Sequence, residues 1–210
     1  RVSGVCVVKR AATFALLLFA LLGTTPGMAG PALLFDAGKG TILYQEDMDA
    51  LWHPASLTKL MTAYLTFEAI RDGKLKLTDK ITCSPTAHAQ APSKIGLPIG
   101  AQMSVELGLK TLIVKSANDV AVMLGEKVAG GSLPKFIDMM NAKARALGMT
   151  RTRYVNPNGL PDERQVTTAR DLALLSRAII RDFPEYDWLF KLDHVTVGKH
   201  RLRAHNRLLM

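Results

Sequence analysis

His53-Pro54-Ala55-Ser56-Leu57-Thr58-Lys59-Leu60-Met61-Thr62-Ala63-Tyr64 leads into residues 65–71, and the whole run is apolar on nearly every side when wound as a helix. Leu57, Leu60, Met61, Ala63, Tyr64, Leu65, Phe67, Ala69 and Ile70 leave no wide polar face. That is the pattern of a helix enclosed by its fold. The spacing predicts a buried central helix over 56–71, entered from a loop through Trp52-His53-Pro54 and ended at Gly73.

Working outward, residues 33–37 and 41–45 are strand-like runs on either side of Gly38-Lys39-Gly40, which predicts a β-hairpin before the helix. After it, Ser104 is placed to cap a helix with Leu107, Leu109, Leu112, Ile113 and Val114 turned inward. Helices over 120–128 and 136–147 follow, the second ended by Gly148 as a left-handed cap. Asn156-Pro157-Asn158-Gly159-Leu160-Pro161 is turn chemistry throughout. Thr168 and Asp171 form a capping-box pattern for a helix through Ile180, Pro184 opens another short helix, and residues 194–197 and 202–204 are strand candidates. A hairpin, a helical body and returning strands make an α+β arrangement in one domain over residues 30–210.

Residues 1–29 stand apart. Arg1, Lys9 and Arg10 precede an apolar run from Ala11 to Leu22 and a Gly27-Met28-Ala29 tail, the layout of a secretory signal peptide cleaved near Ala29. The run is shorter than the roughly 20 residues of a membrane span. Export is therefore expected, to the periplasm or the outer face of a bacterial cytoplasmic membrane. Cys6 would leave with the leader, and Cys83 reads as a structural thiol at a strand end. The leader accounts for three of the +9 net charge and leaves +6, gathered late at Lys199, Arg201, Arg203 and Arg207. Alternating basic residues suit the solvated face of a strand, and no nucleic-acid partner is expected of an exported chain.

The chemistry sits at Ser56 and Lys59. Residues i and i+3 of a helix share a face, so hydroxyl and amine can meet. The positive end of the helix dipole stabilises a developing serine alkoxide and penalises a neighbouring ammonium, and burial lowers a lysine pKa further. Both effects favour a neutral Lys59 that takes the Ser56 proton, with the Ser56 N–H as an oxyanion donor. Alone the pattern is permissive, since Ser-x-x-Lys arises by chance roughly once in a chain this long. Ser56 also serves as an N-cap, and Lys59 can reach solvent along its stem. Ser116-Ala117-Asn118 adds weight, because it falls in the break between two helices where short polar side chains project into a cleft. Ser116, Asn118 and Asp119 are equally ordinary caps when taken singly.

Together these segments resemble the low-molecular-mass penicillin-binding proteins that are serine D-alanyl-D-alanine carboxypeptidases. Residues 53–64 look like that family's nucleophile segment almost residue for residue, and residues 156–161 and Thr168-Ala169-Arg170-Asp171-Leu172-Ala173 are similar to further family segments. The resemblance implies the penicillin-binding-protein/β-lactamase-like transpeptidase fold, a helical cluster packed on an antiparallel sheet. It implies acyl transfer with no metal and no cofactor. Ser56 would attack the carbonyl between the terminal D-alanines of peptidoglycan stem peptides, and Lys59 would take its proton. Ser116 would relay that proton to the leaving D-alanine, and Asn118 would hold the peptide amide. β-Lactam antibiotics would acylate the same serine, and the role would lie in peptidoglycan maturation and cell shape. The family's Lys-Thr-Gly strand is not found by Met210, where residues 205–210 look like the segment just upstream of it. The domain is thus expected to be truncated, poorly soluble and inactive as a chain ending at Met210, with membrane association through a later segment left open.

Two rivals share the fold. A serine β-lactamase of the glutamate-dependent kind needs an acid after the Ser-x-Asn motif, and the comparable stretch offers only Asp162 beside Glu163, out of family context. A non-catalytic wall-binding homologue would have no use for a lysine in a buried first turn. A metalloenzyme reading fails on spacing, because His53, His88, His194, His200 and His205 form no His-x-x-x-His pair.

Overall fold

A computed structural model describes residues 30–204. The expected leader over 1–29, with Cys6, and residues 205–210, with His205 and Arg207, lie outside the described residues. From Pro31 onward the described residues belong to one compact unit.

The central helix, α1 (Thr58–Arg71), follows a 3-10 turn at Ala55–Leu57 and ends in Gly73 at φ +71°. Met61, Ala63 and Phe67 are fully enclosed and Tyr64 and Leu65 nearly so, as its unbroken apolar pattern requires. It is walled by α3 (Val105–Lys115), α4 (Asn118–Val128), α5 (Leu133–Ala146) and α6 (Ala169–Asp182). A one-turn helix, α2 (Pro85–His88), packs on α4, and another, α7 (Asp187–Phe190), packs on α3.

Among the described residues the strands pair as three separate antiparallel ladders. They are β1 (Ala32–Phe35) with β2 (Ile42–Glu46), β3 (Lys80–Thr82) with β4 (Gln102–Ser104), and β5 (His194–Val197) with β6 (His200–Arg203). The first is the expected hairpin. Its turn is closed by the Asp36 carboxylate, which accepts from the N–H groups of Gly38 and Lys39 at 2.8 and 2.9 Å. Leu34, Ile42, Leu43 and Tyr44 stand exposed on it.

Helix starts follow their caps. Ser104 Oγ accepts from Leu107 N at 3.1 Å, and Thr168 Oγ1 accepts from Asp171 N at 3.1 Å. The capping box is only half made. The Asp171 carboxylate turns instead to Arg151 N (2.9 Å) and Thr152 Oγ1 (2.7 Å), tying α6 to the preceding loop. α5 begins at Leu133 rather than near Phe136, because Ser132 caps Lys135 N and Pro134 fits the first turn. α4 begins at Asn118 rather than at Val120. Cys83 is buried, its Sγ 3.4 Å from Leu97 O, and burial raises its pKa. A thiol in that setting is a structural one.

Candidate active site

The turn that carries Ser56 is held from two sides. Trp52 and Thr167 exchange backbone hydrogen bonds of 2.9 and 2.8 Å, fixing the approach to His53-Pro54. Gly159 lies under the turn at φ +85°, so close that a Cβ there would sit 1.8 Å from Ala55 O. Only glycine offers both that backbone conformation and that approach. Ala55 itself is at φ +45°, an uncommon conformation for a residue with a Cβ, immediately before Ser56.

Ser56 is exposed, and its hydroxyl lies 3.4 Å from Lys59 Nζ across the junction of the 3-10 turn and α1. Lys59 is only 4% exposed. Its Nζ donates to Asn158 O at 2.5 Å, and no acid is paired with it among the described residues. Burial alone pushes its pKa from 10.5 down to about 8. A buried amine with one hydrogen fixed on a carbonyl and its other side turned to a serine hydroxyl is arranged as a base.

Ser116 caps the end of α3 in the left-handed conformation, φ +57° and ψ +41°. Its Oγ is buried without a hydrogen-bond partner among the described residues. Ser56, Lys59 and Ser116 line one cavity of about 830 Å³, together with Trp52, Leu112 and Thr168. Asn118 is not among the lining residues. Its Nδ2 donates to Ala91 O at 2.9 Å and its backbone N–H to Ser93 O at 2.7 Å, so it holds the loop beside the cavity. Asp162 is held by the Arg164 guanidinium at 2.7 Å, which keeps its carboxyl down at about 2.

The loop over residues 156–165 supplies contacts that side-chain motifs alone do not reveal. Thr62 Oγ1 donates to Pro157 O at 2.7 Å, Asn158 O receives Lys59, and buried Gln165 reaches Thr58 Oγ1 at 3.4 Å. The Asn158 side chain is itself fixed, its Nδ2 donating to Gln90 Oε1 at 2.6 Å. The Asn-Gly pair was a signal for a turn, but nothing in the sequence says that this turn lies on the α1 lysine.

A family model described as D-alanyl-D-alanine carboxypeptidase matches residues 25–210. The chain belongs to this family. Within the D-alanyl-D-alanine carboxypeptidases it is 39% identical to the enzyme DacC of Escherichia coli K12 over 183 residues, 84% of this chain and 46% of the relative. Among solved structures it matches penicillin-binding protein 5 of Haemophilus influenzae at a TM-score of 0.82 and 35% identity, covering 89% of this chain and 56% of that one. It also matches penicillin-binding protein D2 of Listeria monocytogenes in its ampicillin-bound form, at a TM-score of 0.77 and 30% identity, covering 89% and 76%. The α+β fold is that of the penicillin-binding proteins. The chain spans about half the length of the curated relatives it matches.

Proposed function

We propose that this chain carries the nucleophile half of a serine D-Ala-D-Ala carboxypeptidase that trims the terminal D-alanine from peptidoglycan stem peptides. The observation that carries the reading is the buried Lys59 amine, 3.4 Å from Ser56 Oγ, in the cavity that the buried, unpartnered Ser116 hydroxyl also lines. Ser56 Oγ attacks the carbonyl carbon between the two D-alanines while Lys59 Nζ takes its proton. The Ser56 N–H, at the start of the turn, donates to the developing oxyanion. Collapse of the tetrahedral intermediate breaks the C–N bond, and Ser116 passes a proton to the departing amine. Water then attacks the acyl ester and frees Ser56. Asn118, held against Ala91 O, serves the substrate amide from the edge of the site.

β-Lactams follow the first half of this path, and the ampicillin-bound Listeria relative supports including them as ligands. Export through a signal peptide over residues 1–29 belongs to the same reading, supported by the basic-apolar-small pattern there. So does a Lys-Thr-Gly strand supplied from beyond residues 30–210, supported by the apolar side chains exposed on β1 and β2, Leu43 at 64% and Leu34 at 57%. Membrane association through a later segment stays within the proposal.

Intact-mass spectrometry of the full-length protein with benzylpenicillin is the direct test. One adduct that disappears in Ser56→Ala, with release of D-alanine from diacetyl-Lys-D-Ala-D-Ala, is the expected result. An adduct surviving Ser56→Ala refutes the assignment of the nucleophile.

A further inference from the structure

Lys59 is positioned by a main-chain carbonyl, and a carbonyl stays in place only as well as its residue is held. Asn158 is 2% exposed, and each polar group of its side chain has one partner. Oδ1 accepts from Leu160 N at 3.1 Å, and Nδ2 donates to Gln90 Oε1 at 2.6 Å. The first bond is local to the turn. The second runs to a residue 68 positions away and is the shorter of the two. Gln90 is anchored in turn, its Nε2 donating to Thr86 O of α2 at 2.9 Å.

The residues after Gln90 are stitched to the other half of the site. Asn118 holds Ala91 O and Ser93 O, Ser93 Oγ donates to Lys115 O at 3.1 Å, and the buried Asp119 carboxylate receives the N–H groups of Ile95 and Gly96 at about 3 Å. Gln90 is therefore the side chain through which the segment fastened to Ser116–Asp119 also grips the side chain of Asn158, whose carbonyl holds Lys59.

We propose that Gln90 is a positioning residue for Lys59, acting through the Asn158 side chain. The inference rests on the carboxypeptidase reading, in which Lys59 is the base. Removing the Gln90 acceptor leaves the buried Asn158 Nδ2 without its partner, so the turn must shift to satisfy it. The carbonyl moves with the turn, and Lys59 Nζ leaves its place beside Ser56 Oγ. Reaction rates are steep in such displacements.

The test measures the second-order rate of Ser56 acylation by a fluorescent penicillin, from about pH 6 to pH 9.5, in the full-length protein and in Gln90→Leu, Asn158→Ala and the double variant. Far-UV circular dichroism and melting temperature accompany each. His53 and Lys59 are the basic side chains lining the cavity, and the His53 ring is tied at Nδ1 to Gln165 O at 2.9 Å. Gln90→Leu is expected to acylate about tenfold more slowly, with the acid limb of its profile displaced to higher pH as water reaches Lys59. In the Asn158→Ala background the same substitution should have no further effect, because residues that act in series are non-additive.

A Gln90→Leu rate within about twofold of wild type, an unmoved acid limb, or additive losses in the double variant overturns the proposal, the last by showing that Gln90 acts independently of Asn158. The two readings fail differently. Wild-type protein that takes no label at Ser56 refutes the carboxypeptidase reading. Wild-type protein that labels, with Gln90→Leu labelling as fast, refutes only the role of Gln90.

Discussion

If burial is what lowers the Lys59 pKa, then the folded protein is destabilised by carrying that residue, and replacing it with an apolar side chain of similar length should stabilise the fold while ending catalysis. Lys59→Met is the perturbation. A folded-state pKa of about 8 against an ordinary 10.5 corresponds to roughly 3 kcal/mol of destabilisation wherever both states are protonated. The substitution also deprives Asn158 O of its donor, which takes back about 1 kcal/mol. The net expectation at neutral pH is roughly 2 kcal/mol of stabilisation, a melting temperature higher by about 4–8 °C in a domain of this size.

The sign follows from proton counting. Between about pH 8 and 10.5 the unfolded chain binds the lysine proton more fully than the folded one, so wild-type stability rises with pH through that window. The advantage of Lys59→Met is therefore complete below about pH 8 and shrinks above it, by roughly 2 kcal/mol at about pH 9.5. Urea unfolding of the full-length protein at about pH 6.5 and pH 9.5 measures both numbers, with penicillin acylation as the check that the base is gone. A variant less stable than wild type at pH 6.5, or a difference that does not change between the two pH values, refutes the claim that a desolvated ammonium sits at Lys59.

The same pKa predicts that wild-type acylation climbs about tenfold per pH unit below about pH 7.5 and levels off above about pH 8, while Lys59→Arg, protonated throughout, gives no acylation at any pH. Stopped-flow labelling across that range reads both. Gly159→Ala puts a methyl group into the Ala55 carbonyl, at 1.8 Å in the undisturbed backbone. The nucleophile turn must move, and a loss of acylation of about a hundredfold is expected; a rate within about threefold of wild type would show that the turn yields without consequence. Asp171→Ala unties Arg151 N and Thr152 Oγ1 from α6 and should lower stability by about 2–3 kcal/mol, with Ser56 still labelled at near the wild-type rate. Thermal melting and labelling together separate that structural role from a catalytic one.

What could be read from the sequence, and what could not, divides along the reach of each interaction. α1 was legible because its enclosure leaves a mark on every turn, and the meeting of Ser56 with Lys59 was legible because a three-residue spacing brings them together even though Ser56 lies in the 3-10 turn before α1. Helix ends were legible where one side chain makes the cap, as at Ser104 and Thr168. They were misplaced where a cap competes with nearby alternatives, as at Ser132 and Asn118. The strands of the first and last ladders were found as segments, whereas β4 was not read as a strand, and the division into separate ladders depends on pairings that no segment encodes alone.

The site follows the same division. Ser116 could be nominated from its place in a helix break, and the structure brings it to the Ser56 cavity. Asn118 was nominated from the same triplet, and its amide is turned to Ala91 O, because the first residue of α4 adjoins the loop over residues 91–93. The groups missed altogether are Asn158 O and the Gly159 backbone. A carbonyl belongs to every residue and distinguishes none, so it becomes recognisable only once the fold brings residue 158 onto residue 59. Chemistry carried by side chains on one helix can thus be proposed from the chain itself. The part that sets a lysine's pKa and aim depends on what surrounds it, and that is a property of the folded state.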